Sequence, residues 1–228
     1  MIQFELNNKT YKINGWQDIT LGRFCTFIET VLPKQPKILK EILEAEDKEQ
    51  ARLDVTIEEE LQLLDYYCLA VAYWFSIDAD TLKIAMDREQ LERSYWALEV
   101  LFSDYQIDED FVSFRLHGVD YFVPANYMQD STTIEYFECM QFEQNLSKIE
   151  GGNFLALPEI LATICRPKDE AYNEKKVPIR KKLFKQVNML DALNVAFFLL
   201  RLKGVLAQTL AIYSLLEASV LVAPKPKV

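Results

Sequence analysis

The amino-acid sequence predicts a mainly helical α+β fold built from two similar halves, each a small β-hairpin followed by packed helices. Apolar residues recur at three- and four-residue spacing over most of the chain, a pattern typical of amphipathic helices. Alternation of apolar and polar residues is found near residues 2–13 and 111–123, which indicates two hairpins. Half of the 228 residues are hydrophobic, so the chain has enough apolar side chains for a sizeable core.

The first hairpin is predicted at the N-terminus. Apolar and polar side chains alternate over residues 2–6, residues 7–9 form a turn, and residues 10–13 resume the alternation. A helix capped by Asp18 or Thr20 is predicted to follow, because apolar residues continue beyond this point at helical spacing.

Capping signals and breaks account for the remaining elements. Thr56 and Glu59 form a capping box, in which each side chain accepts a hydrogen bond from a backbone N–H at the start of the helix. The box opens a long apolar helix that runs to Phe75, and Pro158 is placed near the start of a helix that ends at Cys165. Other helices are predicted after Pro36, over 80–86 and 88–103, after Thr132, and near 178–187, 189–202 and 204–220.

The second hairpin repeats the pattern of the first. Phe114 and Tyr121 lie 110 positions after Phe4 and Tyr11, and a predicted capped helix follows each hairpin. We interpret this as an internal repeat, with chance recurrence of a common hairpin–helix unit as the alternative. The repeat predicts two subdomains, an N-terminal hairpin-plus-helices unit at 1–107 and a C-terminal one at 108–228.

Composition and motifs exclude several classes of protein. A net charge of −10 disfavours general binding to nucleic acids, because an acidic surface repels phosphates. The sequence has no glycine-rich phosphate loop and no serine nucleophile motif, and its single histidine, His117, is placed at the turn of the second hairpin. The four cysteines form no C-x-x-C pair, as expected of buried thiols in a reducing cytoplasm. We therefore predict a non-enzymatic protein without a metal or cofactor.

The most apolar stretch of the chain covers residues 192–222. Arg201 and Lys203 interrupt it and leave pieces shorter than the ~20 residues of a membrane-spanning helix. Packed core helices are therefore predicted here, with a membrane hairpin as the alternative. Residues 1–5 lack a basic region followed by an apolar run, so no signal peptide is predicted.

Charge is unevenly distributed along the chain. Residues 41–60 contain nine acids and two bases, whereas residues 166–185 contain eight bases and three acids. Each run is most simply a solvated face. The contrast also suits head-to-tail association of two copies, or docking of an acidic partner on the basic segment. The basic residues predicted to contact a partner are Arg166, Lys175, Lys176, Arg180, Lys181 and Lys182.

Aromatic residues crowd two of the predicted helices. Residues 66–75 contain five of them, which occupy too many angular positions to share one core-facing stripe, and Tyr95 and Trp96 repeat the situation. We expect Tyr73, Trp74 and Trp96 to face a partner, because Tyr and Trp combine a large contact area with a polar tip. A helix buried on several sides is the alternative.

Several stretches together resemble a family of proteins. They are residues 157–167 (LPEILATICRP), Tyr172-Asn173, Phe184, residues 191–199 (DALNVAFFL), and residues 16–20 (WQDIT) followed by a helix. This set resembles the small cytoplasmic proteins encoded among the tail and structural genes of tailed bacteriophages, the tail assembly chaperones in particular. The resemblance covers the last third of the chain and the region around Trp16.

The resemblance implies a helical, non-enzymatic protein of the host cytoplasm. Such a protein binds a long helical or hydrophobic virion polypeptide before assembly and has no catalytic residues. Two alternatives stay open. One is a structural virion subunit of the neck, tail or baseplate, located in the virion and forming ordered oligomers. The other is an enzyme with a carboxylate site that no motif marks.

Overall fold

The computed structural model of the chain describes residues 1–103, 108, 110–124 and 152–197, together with residues 134, 137, 141 and 144. It is mainly helical with two small antiparallel two-stranded sheets, which confirms the predicted fold class. The first sheet pairs β1 (Ile2–Leu6) with β2 (Lys9–Ile13), and the second pairs β3 (Ser113–Leu116) with β4 (Val119–Phe122).

Helices make up most of the described chain. They are α1 (Leu21–Thr30), α2 (Lys37–Glu44), α3 (Lys48–Leu53), α4 (Ile57–Phe75), α5 (Ala79–Ala85), α6 (Arg88–Ser103), α7 (Gly152–Ile164), α8 (Val177–Phe184) and α9 (189–197). Of the helix predicted after Thr132, the described residues 134, 137, 141 and 144 are helical. The helix predicted near 204–220 lies outside the described residues, as does the greater part of the acidic loop between the proposed subdomains.

The capping residues of α1 and α4 act as the sequence predicts. Thr20 is the cap of α1, and its hydroxyl accepts a hydrogen bond from the N–H of Arg23 at 3.3 Å. At the start of α4, the N–H of Thr56 donates to the Glu59 carboxylate at 2.9 Å and the N–H of Glu59 donates to the Thr56 hydroxyl at 3.3 Å. These bonds satisfy amides that would otherwise lack partners at the helix start.

Both hairpins turn through backbone conformations with positive φ. Asn7 and Asn8 have φ angles of 50° and 61°, and His117 and Gly118 have φ angles of 48° and 80°. Two consecutive left-handed residues match the right-handed twist of the flanking strands and suit Asn and Gly. His117 therefore lies at the turn, as predicted, and its Nε2 lies 2.8 Å from Oε1 of Gln186.

The first hairpin is covered by an aromatic cluster. Phe4 on β1 lies opposite Tyr11 on β2, and their rings stack with centroids 5.5 Å apart. Phe75, at the end of α4, meets the ring of Phe4 edge-on at 4.7 Å. This contact fixes the hairpin against the longest helix of the described chain.

The second hairpin carries the same arrangement. Phe114 on β3 lies opposite Tyr121 on β4, their rings stack 5.6 Å apart, and Phe184 at the end of α8 meets Tyr121 edge-on at 4.8 Å. The likeness of the hairpins thus extends to their ring packing. Duplication of the whole halves stays a prediction, because most residues of the helix expected after the second hairpin are not among those that the structure describes.

Helix α7 begins earlier than predicted, so Pro158 lies inside it rather than near its start. Proline has no N–H to bond the carbonyl four residues earlier, which here belongs to Phe154. The thiol of Cys25 on α1 donates to that carbonyl at 3.5 Å, and the Phe24 and Phe154 rings pack at 5.2 Å. Packing against α1 thus compensates for the proline. Burial raises the pKa of Cys25 to about 11, so the sulfur keeps its proton at neutral pH.

Residues 19–22 pair with residues 185–189. The N–H of Leu21 donates to the carbonyl of Val187, the N–H of Gly22 to that of Lys185, and the N–H of Met189 to that of Ile19, each at 2.7 Å. This pairing explains why α8 ends before the predicted residue 187. It also joins both ends of the described chain, and the buried residues on either side of position 107 form one core.

Gly22 is required by this close approach. A Cβ placed on Gly22 would lie 2.8 Å from the carbonyl oxygen of Lys185 and 2.9 Å from its Cβ. Contacts of this length are repulsive, and the carbonyl cannot move without breaking the pairing.

We predict that Gly22→Ala lowers the stability of the protein. Replacing a helical glycine by alanine ordinarily stabilises by up to about 1 kcal/mol. Here the clash reverses the sign, with an expected loss of about 1–3 kcal/mol. Thermal unfolding followed by circular dichroism measures the change. Glu29→Ala, an exposed substitution on the same helix, is the control and should leave the Tm nearly unchanged; a Tm for Gly22→Ala at or above that of the parent chain would contradict the assignment.

Candidate functional site

A groove lies between helices α3, α4 and α6 and has a volume of about 470 Å³. We call it the α3–α4–α6 groove. Arg52 and Leu53 from α3, Tyr67 from α4 and Trp96 from α6 contribute to its walls. The wall residues from α4 also include Leu63 and Leu64.

The aromatic part of the groove is held in place by ring contacts. The guanidinium of Arg52 lies 3.7 Å from the centroid of the Trp96 ring, a cation–π contact. Tyr67 is buried, and the centroid of its ring lies 6.1 Å from that of Trp96. Trp96 is itself only partly buried, so part of its ring faces the groove.

Paired charges form the rim. Arg88 on α6 forms ion pairs with Glu60 and Glu92. Its Nε lies 2.7 Å from Oε1 of Glu92. Arg93 binds Glu89 at 2.5 Å. At one end the side chain of Leu53 is 78% exposed. A groove that combines aromatic and aliphatic wall residues with charged ones can receive one face of an amphipathic helix.

The three aromatic residues predicted to contact a partner differ in how far the structure buries them. Trp96 lines the groove, and its contact with a partner stays a prediction. Trp74 is 1% exposed and packs on Phe27 at 4.8 Å, so its expected role as a contact residue was wrong. Tyr73 is half-buried, and its hydroxyl donates to the backbone carbonyl of Arg23 at 2.5 Å. The reason is that α4 is buried on several sides, the alternative considered from the sequence.

The predicted basic segment divides into an inner and an outer part. In the inner part, Arg180 is buried and binds Glu170, which also accepts from Lys176 at 3.2 Å. Lys181 binds Glu159 on α7 at 2.8 Å. These cations attach α8 to its surroundings. The buried Arg180 is therefore corrected from a partner contact to an internal one.

The outer part of the segment is exposed. We define the basic face as Lys175, Ile179 and Lys182. Neither lysine forms an ion pair with any residue that the structure describes. Arg166 lies apart from this face, with its guanidinium 5.9 Å from the ring centroid of Tyr172 and its backbone paired with Phe122.

Sequence reasoning missed part of the groove. Arg52 and Leu53 were not singled out, because nothing in the local sequence distinguishes an exposed leucine at a helix end from a core leucine. Tyr67 belongs to the recognised aromatic run, but its orientation depends on α6. Arg52 stacks on Trp96, which lies 44 positions later, so no local pattern marks the contact.

Two other kinds of site were considered for the described part of the chain. No group of three or more His, Cys, Asp or Glu residues that could hold a metal ion occurs within it. Within the same residues, no helix has the length and apolar character needed to cross a membrane.

Comparison of the chain with protein families, with curated proteins and with solved structures gave no match.

We predict that Glu170→Gln weakens the folded state in a pH-dependent way. Burial acts to raise the pKa of Glu170, but hydrogen bonds from Arg180 and Lys176 outweigh it and hold the pKa below its usual value. The stabilisation is therefore fully present above the unfolded pKa of about 4.3 and is lost as the pH falls through the lower folded pKa. At pH 7 the variant should lose about 1–3 kcal/mol.

The measurement is the Tm of both proteins from pH 7 to pH 3. The difference between parent and variant should shrink below about pH 4.3. Glu174→Gln, an exposed change in the same segment, is the matched control and should follow the parent curve. A difference that stays constant with pH would show that the Glu170 charge does not stabilise the fold.

Proposed function

We propose that the protein is a non-enzymatic assembly protein of a tailed bacteriophage that binds a tail or other virion polypeptide in the host cytoplasm, in the manner of a tail assembly chaperone. The observation that carries the binding role is the α3–α4–α6 groove. The bacteriophage context is supported by the sequence resemblance at residues 157–167, 191–199 and 16–20.

The groove suits a polypeptide ligand. Its aromatic wall, formed by Tyr67 and Trp96, offers the kind of side chain that dominates binding energy at protein interfaces. The exposed Leu53 extends the apolar surface beyond the groove itself. The rim charges are already paired with one another, so an incoming apolar segment does not have to desolvate isolated charges.

We predict that Leu53→Asp weakens binding of the virion polypeptide at least tenfold, a loss of about 1.4 kcal/mol or more. The substitution puts a charge where an apolar segment would lie, and the exposed position leaves the fold intact. The control is Ile84→Asp on α5, where an 88% exposed isoleucine lies outside the groove.

The tail and neck proteins of the encoding phage would be expressed one by one, and each affinity measured by calorimetry with the purified chain. Binding of one of them that is lost with Leu53→Asp and kept with Ile84→Asp is the expected result. Binding of none of them, or equal loss with both variants, would contradict the proposal.

A structural virion subunit of the neck, tail or baseplate is the second candidate. The observation that favours it is the repeated hairpin, because two similar hairpins on one chain suit pseudo-symmetric packing in a particle. Mass spectrometry of purified particles and of infected-cell lysate distinguishes the two roles. A chaperone is found in lysate with a tail protein and is absent from particles, whereas a subunit is abundant in particles.

A further inference from the structure

The basic face, at the start of α8 and on it, has an apolar centre that none of the described residues covers. Ile179 is 70% exposed. Exposed Lys175 lies four residues before it, in the 3-10 turn that leads into α8, and exposed Lys182 lies three residues after it. Lys176, Arg180 and Lys181 are held by Glu170 and Glu159. Lys175 and Lys182 are thus cations beside Ile179 that are available to another molecule.

A surface of opposite charge and similar design lies at the start of α4. Ile57 is 79% exposed and Leu61 is 61% exposed, one helical turn apart. Exposed Asp54 lies three residues before Ile57, and exposed Glu58 follows Ile57 directly. We call Asp54, Ile57, Glu58 and Leu61 the acidic strip.

The acidic residues around this strip differ in whether their carboxylates already bind a cation or a backbone N–H. Glu59 is bonded within the capping box, and Glu60 contacts Arg88. Asp54 accepts a hydrogen bond from the Gln50 side chain at 2.9 Å and meets no cation among the described residues. Glu58 forms no ion pair with any described residue. Asp54 and Glu58 therefore keep their negative charge available.

We propose that the basic face of one copy of this chain docks on the acidic strip of a second copy. Ile179 would fit between Ile57 and Leu61, which lie about 6 Å apart along the helix axis. Lys175 and Lys182 would then meet Asp54 and Glu58. The apolar centre supplies burial, and the flanking charges set orientation and register.

The match between the two surfaces identifies the occupant. Each combines exposed aliphatic side chains with exposed charged ones, and the charges are of opposite sign. Within one chain both centres remain exposed, so they do not cover each other. Because the two surfaces differ, the contact is head-to-tail, and each copy keeps one surface of each kind for a further copy.

This inference goes beyond the proposed function and does not rest on it, because its test uses the purified chain alone. Sedimentation velocity would follow the chain from about 1 to about 200 μM, a range suited to contacts of low micromolar and weaker affinity. At about 0.1 M salt the screening length is roughly 10 Å, and at about 1 M it is roughly 3 Å. The parent chain should form dimers and larger species, and the higher salt should weaken them.

Charge reversal tests the pairing of the surfaces. The double variants Lys175→Glu with Lys182→Glu, and Asp54→Lys with Glu58→Lys, should each weaken association at least tenfold. All four changes in one chain should restore it, because the charges are then exchanged between the surfaces. Lys12→Glu with Lys34→Glu, at exposed positions elsewhere, changes the net charge equally and should leave association intact.

A substitution at Ile179 tests the role of the apolar centre of the basic face. Ile179→Asp should abolish association, whereas Ile84→Asp, at a more exposed position on α5, should not. A parent chain that stays monomeric over the whole range would overturn the proposal, even where the basic face binds an acidic virion polypeptide instead. Association that survives either double reversal, or that the fourfold variant fails to restore, would also overturn it.

Discussion

The pairing of residues 19–22 with residues 185–189 is the constraint on which the arrangement of the described chain depends. It brings the start of α1 against the turn between α8 and α9, more than 160 positions later in the sequence. The approach is close enough that only glycine fits at position 22.

Once α1 is held there, it packs against α7, and the Cys25 thiol reaches the carbonyl that Pro158 leaves without its helical donor. Packing of α1 on α4 also places Arg23 where its guanidinium donates to the carbonyls of Tyr73 and Trp74, at 2.7 and 2.6 Å. A cation at the last carbonyls of a helix offsets the negative end of the helix dipole.

The surfaces follow from how this core uses its charged and aromatic side chains. Along α4, nearly every aromatic ring packs in the core, and the side toward α3 and α6 leaves a groove. Along α8, the cations that face inward are bound by Glu170 and Glu159, and the outward ones remain available. Binding surfaces on this protein are therefore what the core leaves uncovered. The groove and the basic face lie on different elements and suit different partners, an apolar segment in one case and an acidic surface in the other.

Much of the local structure is predictable from the sequence, because it depends on neighbours. The capping box at Thr56, the extent of α6 and the turns of both hairpins are set by residues within four positions of one another. The start of α7 was mispredicted, because proline ordinarily marks a helix start and its replacement donor comes from distant Cys25. The burial of Trp74 and Arg180, and the groove at Trp96, depend on which helices pack together. Pattern reasoning found the basic segment, but only tertiary contacts with Glu159 and Glu170 separate its internal cations from the exposed ones.

We expect the pairing of residues 19–22 with 185–189 to make the described residues before and after position 107 one cooperative unit. Native-state hydrogen exchange, followed by nuclear magnetic resonance in increasing denaturant, tests it directly. The amides of Leu21, Gly22 and Met189 should exchange only through global unfolding, with the same free energy as buried amides in the middle of α4. Exchange of these three amides at a clearly lower free energy, while the α4 amides stay protected, would show that the second half opens separately and would contradict the account.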